Sequence, residues 1–152
     1  PMTHPKMINE ALQPMIEDEK ILVTNLLGQI NGNNEFENRN CIKVVCDLQS
    51  NALFFSREPI PTRSKSNKVP FGKQVCIIPF RRDFLLEYTQ MQPTPLEIVE
   101  SIDMLRILEH GMKVKLVPTQ YDTHAVDTEK DRHHVEKLLA NDPVTSLYCD
   151  QN

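Results

Sequence analysis

The stretch Phe54-Phe55-Ser56-Arg57-Glu58-Pro59-Ile60-Pro61 restricts the fold of this chain more than any other. Its apolar, aromatic start favours a strand. Pro59 and Pro61 cannot continue a hydrogen-bonded ladder: each ring fixes its own backbone, removes a donor and pushes the preceding residue towards extended geometry. The strand must therefore end at the Ser-Arg pair, on an edge or a rim, and pass into a stiff extended arm. Arg57 at the base of such an arm suits the binding of a carboxylate or phosphate. An edge strand with a solvent-facing arginine has the same pattern.

The remainder alternates between helical and strand-like spacing. Met7, Ile8, Leu12, Met15 and Ile16 predict a helix over 3–19, opened by Thr3 or His4 before Pro5, with Pro14 as a kink or an end. Residues 21–30 form an apolar strand pattern, and the Asn- and Gly-rich 31–40 a turn or exposed loop. Residues 41–46 and 52–55 form a hairpin around 47–51. A nearly continuous apolar run over 73–80 suggests a strand buried on both faces, and 82–88 a short helix. Thr94, Pro95 and Glu97 stand at capping-box spacing ahead of one long helix over 96–110, which Gly111 stops. A strand over 114–117 follows, then a helix capped by Asp127 or Thr128 and running to about Ala140. This order predicts one α/β domain over 1–152 with a mixed sheet.

The formal net charge is −4 with no long basic block, which argues against a nucleic-acid surface. The Ser-rich stretch 63–68 reads as a mobile loop, and the tail from Asn141 as loose. No apolar run is long enough to cross a bilayer. Cys41, Cys46, Cys76 and Cys149 form no C-x-x-C pair and read as buried, reduced thiols of a cytoplasmic protein. His133-His134 has no cysteine pair at zinc spacing.

Three segments in order carry a resemblance. They are Ile42-Lys43-Val44-Val45 leading to Phe54–Pro61, Pro95-Leu96-Glu97 leading to Glu100-Ser101-Ile102-Asp103-Met104-Leu105-Arg106, and Ala125-Val126-Asp127-Thr128 ahead of a helix, with Phe80-Arg81-Arg82 between the first two. Together they resemble the C-terminal portion of the 3-deoxy-manno-octulosonate cytidylyltransferases, the enzymes that make CMP-Kdo. The resemblance implies a Rossmann-like α/β fold that pairs as a homodimer through the hairpin and the Ser-Arg arm. It implies a reaction in which the anomeric hydroxyl of an acidic eight-carbon sugar attacks the α-phosphate of CTP and pyrophosphate leaves, with Mg²⁺ bridging phosphates and sugar. Asp127 matches a metal-binding aspartate in a Val-Asp-Thr motif, and Arg57 an arginine that steadies an anionic group.

The departures from the family pattern bear on the substrate. Gln74 stands where the family commonly has a sugar-contacting histidine, Ile78 where Kdo enzymes have a tyrosine, and Asp103-Met104 where they carry Glu-Gln. A pocket that bonds hydroxyls cannot swap partners for apolar groups without leaving a substrate group unpaired, which points to a related acidic sugar. Gln74 and Asp103, with Arg57, are the expected substrate contacts; no residue stands out as catalytic. Nothing resembles the family's Gly-rich, basic phosphate loop, and Pro1 matches the position just after its first metal aspartate. The expectation is an incomplete fold without the N-terminal nucleotide-binding part, inactive on its own. The alternative is a non-catalytic interaction or dimerisation module built on the same fold.

Overall fold

A computed structural model describes residues 2–62, 64, 71–121, 123–142 and 144–145. In chain order the elements are α1 (Pro5–Glu17), β1 (Thr24–Gly28), α2 (Gly32–Glu37), β2 (Lys43–Cys46), β3 (Ala52–Ser56), β4 (Phe71–Val75), α3 (Arg82–Tyr88), α4 (Pro95–Glu100), α5 (Met104–Glu109), β5 (Lys115–Pro118) and α6 (Glu129–Leu139). Apart from Ser64, the expected loop over 63–68 lies outside the described residues, as do Cys149 and most of the tail.

The five strands are ordered β3-β2-β4-β1-β5, with β1 and β5 parallel and the other pairs antiparallel. This is the mixed sheet expected of the central hairpin. Its two ends also touch. Asn51 bridges Lys115, the Ala52 N–H donates to the Val114 carbonyl at 2.9 Å, and the Leu116 N–H donates to the Ser50 carbonyl at 2.7 Å. The strands thus curl into a ring, and the space inside is filled by Val44, Phe55, Val114 and Leu116 with Phe84 of α3 and Leu105 and Ile107 of α5. On the outer face α1 lays Met7 and Ala11 over Leu26 and Val75.

Helix α1 begins as its sequence dictates: His4 Nδ1 accepts the Lys6 N–H at 3.1 Å, and Pro5 occupies the first turn. Pro14 lies inside the helix, which continues to Glu17. Arg81 secures that end, donating through Nη2 to the Met15 and Asp18 carbonyls and through Nε to the Ile21 carbonyl. Unpaired C-terminal carbonyls of a helix need such donors. Close approach between β1 and β4 explains Gly72: a Cβ there would sit 2.4 Å from the Gly28 carbonyl oxygen.

Four expectations need correction. The Asn-rich 31–40 contains α2, whose Glu35 reaches the Lys73 amine at 2.6 Å; an ion pair distant in sequence holds a turn of helix that local propensity disfavours. The run 73–80 is not a strand buried on both faces. Regular pairing stops at Val75, where Ile77 N–H turns back to the Val75 carbonyl. Beyond it, Leu26 and Thr24 donate to the Ile77 and Pro79 carbonyls, while the backbone groups of Cys76 and Ile78 have no partner among the described residues. Third, 96–110 is two helices rather than one. Ser101 is left-handed at φ 53°, ψ 52°, and Ile102 N–H bonds the Glu97 carbonyl at 3.2 Å. The break drives Ile102, Met104, Leu105 and Ile107 into the core and leaves Ile98 and Val99 at 66% and 81% exposure. The cysteines also differ from expectation: Cys41 and Cys46 are half-buried and Cys76 is exposed.

Candidate functional site

Beyond the end of the β2–β4 pairing lies a cleft of about 410 Å³. One wall is β4 and its continuation, Lys73 to Ile77; the other is the segment from Thr123 to Asp127 with the first turns of α6, and Met2 and Thr3 also reach it. At its base the buried Lys73 amine pairs with Glu35 and lies 3.5 Å from the Thr123 carbonyl, tying both walls together. Gln74 also lines the cleft, and its Nε2 donates to the Oδ1 of the buried Asn25 at 2.8 Å.

On the facing wall, α6 begins with a reciprocal cap. Thr128 Oγ1 accepts the Asp131 N–H, and Asp131 Oδ2 accepts the N–H and hydroxyl of Thr128 at 2.9 and 2.7 Å and the Asp127 N–H at 3.3 Å. The Thr128 hydroxyl accordingly holds the Asp131 carboxyl below its ordinary range. Of the two residues expected to cap this helix, Thr128 does so. The Asp127 carboxylate accepts no hydrogen bond from the described residues and lines the cleft. His134, one turn into α6, meets His124 edge to face at 5.0 Å, and both rings line the cleft. His133 points elsewhere, to the Glu129 carbonyl.

The cleft thiols are poor nucleophiles. Partial desolvation pushes Cys76 up, and Asp103 and Asp127 push it further. Burial likewise raises Cys41, with Glu35 adding to the effect. Both remain protonated at neutral pH.

Of the four residues singled out by sequence, Gln74 and Asp127 both line this cleft. Asp103 lines a shallow depression beside Glu97 and Ser101, and its carbonyl accepts the Tyr88 hydroxyl at 3.2 Å. Arg57 lies outside the cleft lining, and its guanidinium donates to the carbonyls of Glu100 (2.7 Å), Ser101 (3.1 Å) and Arg39 (3.2 Å). Glu100 returns the contact, accepting the Ser56 hydroxyl and the Arg57 N–H at 2.8 Å each. In this arrangement the Ser-Arg arm clamps the break between α4 and α5. Asn25, the Lys73–Glu35 pair and His124 were missed by sequence reasoning, since their significance comes from pairings across elements.

No group of three or more His, Cys, Asp or Glu suited to holding a metal occurs among the described residues. Asp127 fits the narrower requirement of Mg²⁺, which keeps several waters and takes one or two carboxylates together with substrate phosphates.

Comparison with known proteins follows the same line. A family model described as cytidylyltransferase matches residues 1–114. The 3-deoxy-manno-octulosonate cytidylyltransferase of Geotalea uraniireducens is 39% identical over 150 residues, covering 91% of this chain and 59% of the relative. The Fusobacterium nucleatum protein of the same name is 35% identical over 135 residues, covering 89% and 55%. A solved structure of CMP:2-keto-3-deoxy-manno-octonic acid synthetase complexed with CTP superposes with a TM-score of 0.83 at 31% identity, covering 91% of this chain and 57% of the other. The chain thus spans somewhat under three fifths of the length of these relatives.

Proposed function

The chain belongs to the cytidylyltransferase family, and from that premise we propose that it supplies the acceptor side of a CMP transfer from CTP to an acidic sugar. The observation that carries this reading is the cleft in which Gln74 and the uncommitted Asp127 carboxylate share one space above the Lys73–Glu35 base. Gln74 would bind the sugar, and Asp127 would hold Mg²⁺, which when bound neutralises charge on the phosphates as pyrophosphate leaves. Asp103 stands near enough to influence the same wall. The sugar is a relative of Kdo rather than Kdo itself: Met104 is buried at 2% exposure and Ile78 packs against the core, so neither replaces the polar family side chain. The protein acts in the cytoplasm in this reading, and no helix among the described residues is long and apolar enough to cross a membrane. By the same resemblance it pairs as a homodimer through the β2–β3 hairpin.

Titration calorimetry on this chain should show binding of an acidic sugar without binding of CTP. A pyrophosphate-release assay with CTP, Mg²⁺ and Kdo should show turnover far below about one per second, the low end of ordinary enzymes. Turnover at that rate or above would overturn the expectation that this portion does not complete the reaction by itself. A second reading, a non-catalytic interaction module, is favoured by the backbone edge at Cys76 and Ile78, which has no partner among the described residues. It predicts binding of neither sugar nor nucleotide.

A further inference from the structure

We propose that Asn25 is a positioning residue that fixes the amide of Gln74, so that Gln74 meets a ligand chiefly as a hydrogen-bond acceptor and reads a sugar hydroxyl. The proposal rests on the acceptor-side reading above and specifies what Gln74 recognises.

Asn25 is fully buried in β1. Its Nδ2 donates to the Leu26 carbonyl at 2.7 Å and to the Val75 carbonyl at 3.0 Å. Turning the amide over would set Oδ1 against two carbonyl oxygens, so its orientation is settled by its surroundings. Oδ1 is therefore an acceptor, and the Gln74 atom 2.8 Å away must be the amino nitrogen. One hydrogen of Gln74 Nε2 is thereby committed. Gln74 Oε1 accepts nothing from the described residues and is not sealed from solvent. The strand beneath is held in place, because Gln74 N–H donates to the Ile42 carbonyl at 2.8 Å and Gly72 allows β4 to lie close against β1.

A carboxylate or phosphate facing Oε1 would set acceptor against acceptor. A hydroxyl can donate to Oε1 and accept the remaining Nε2 hydrogen. The acidic group of the substrate must then be recognised elsewhere. A site built around a hydroxyl donor discriminates strongly against ligands without one, because its own polar atom would be left unpaired.

The test combines ¹⁵N nuclear magnetic resonance of side-chain amides with calorimetry using a panel of 2-keto-3-deoxy sugar acids, 3-deoxy-manno-octulosonate among them, as probes. In the unliganded chain the two Gln74 amide protons should be unequal, one protected from exchange. In Asn25→Leu both should move to the two resonances and the fast exchange of a solvent-exposed glutamine amide. Identical Gln74 signals in the two proteins would overturn the proposal without any ligand present. Sugar affinity should fall about tenfold or more in Asn25→Leu and in Gln74→Met, the latter leaving the core packing in place. Gln74→His, whose ring can donate to Asn25 and accept from a hydroxyl, should bind within about threefold of the parent. Undiminished binding by Gln74→Met would also overturn the proposal. If the parent chain binds no sugar, the acceptor-side reading fails, and the amide signals decide the role of Asn25 by themselves.

Discussion

At the scale of single residues, the structure separates two roles that the sequence had left joined. Residue Asp127 or Thr128 had to cap α6, and Thr128 does it with Asp131. The Asp127 carboxylate is thereby left without a capping role. Asp127→Asn should abolish Mg²⁺-dependent CMP transfer in a protein carrying the family's full length, and should change unfolding free energy of this chain by less than about 0.5 kcal/mol. Urea denaturation and an activity assay check the two halves. A loss of stability without a loss of transfer would make Asp127 structural. Arg57 shows the opposite limit on reading residues locally. Its motif fits anion binding, and in the folded chain three of its five N–H donors also hold backbone carbonyls, which come from segments up to 44 positions away.

At the scale of elements, local chemistry settled starts better than continuity. The helix start at Thr94, whose N–H donates to Glu97 at 3.2 Å, and the hairpin of β2 and β3 were legible, because turn and cap signals lie within a few residues of what they control. The break at Ser101 was not. Leu96, Val99, Ile102 and Leu105 keep an unbroken helical period, so the sequence pattern gives no warning. The break is imposed from outside: Arg57 holds the Glu100 and Ser101 carbonyls, while Arg106 grips Glu97 with two hydrogen bonds of 2.7 and 2.5 Å beneath the Tyr88 ring. A non-glycine residue in left-handed geometry carries a backbone cost. Ser101→Gly should therefore stabilise the protein by about 0.5–1 kcal/mol, and Ser101→Val should destabilise it by at least as much. Thermal and urea unfolding would show this; stabilisation by valine would contradict the left-handed assignment in solution.

At the scale of the whole molecule, the α/β class and the mixed sheet could be read from alternating periodicities, and the site only in part. Gln74 and Asp127 lie more than fifty positions apart, and nothing in either neighbourhood shows that they face one cleft. The curled sheet brings them together. The same curl leaves one side of the Cys76–Ile78 backbone without partners among the described residues, while the other side is bonded to β1. Amide hydrogen exchange should therefore be fast at Cys76 and Ile78 and slower by orders of magnitude at Thr24 and Leu26, which donate into that ladder. Slow exchange at Cys76 and Ile78 would show that the edge is covered in solution.

The contact between the ends of the sheet has a practical consequence for anyone trimming this protein. Likeness to the family model stops at residue 114, and β5 starts at the next position. That strand is the last stave of the ring, bonded to β1 on one flank and to the turn before β3 on the other. Cutting where the family model ends would lift it out and remove Leu116 from the core it shares with Val23 and Phe55. A boundary drawn by kinship between sequences is here a poor place to sever the polypeptide.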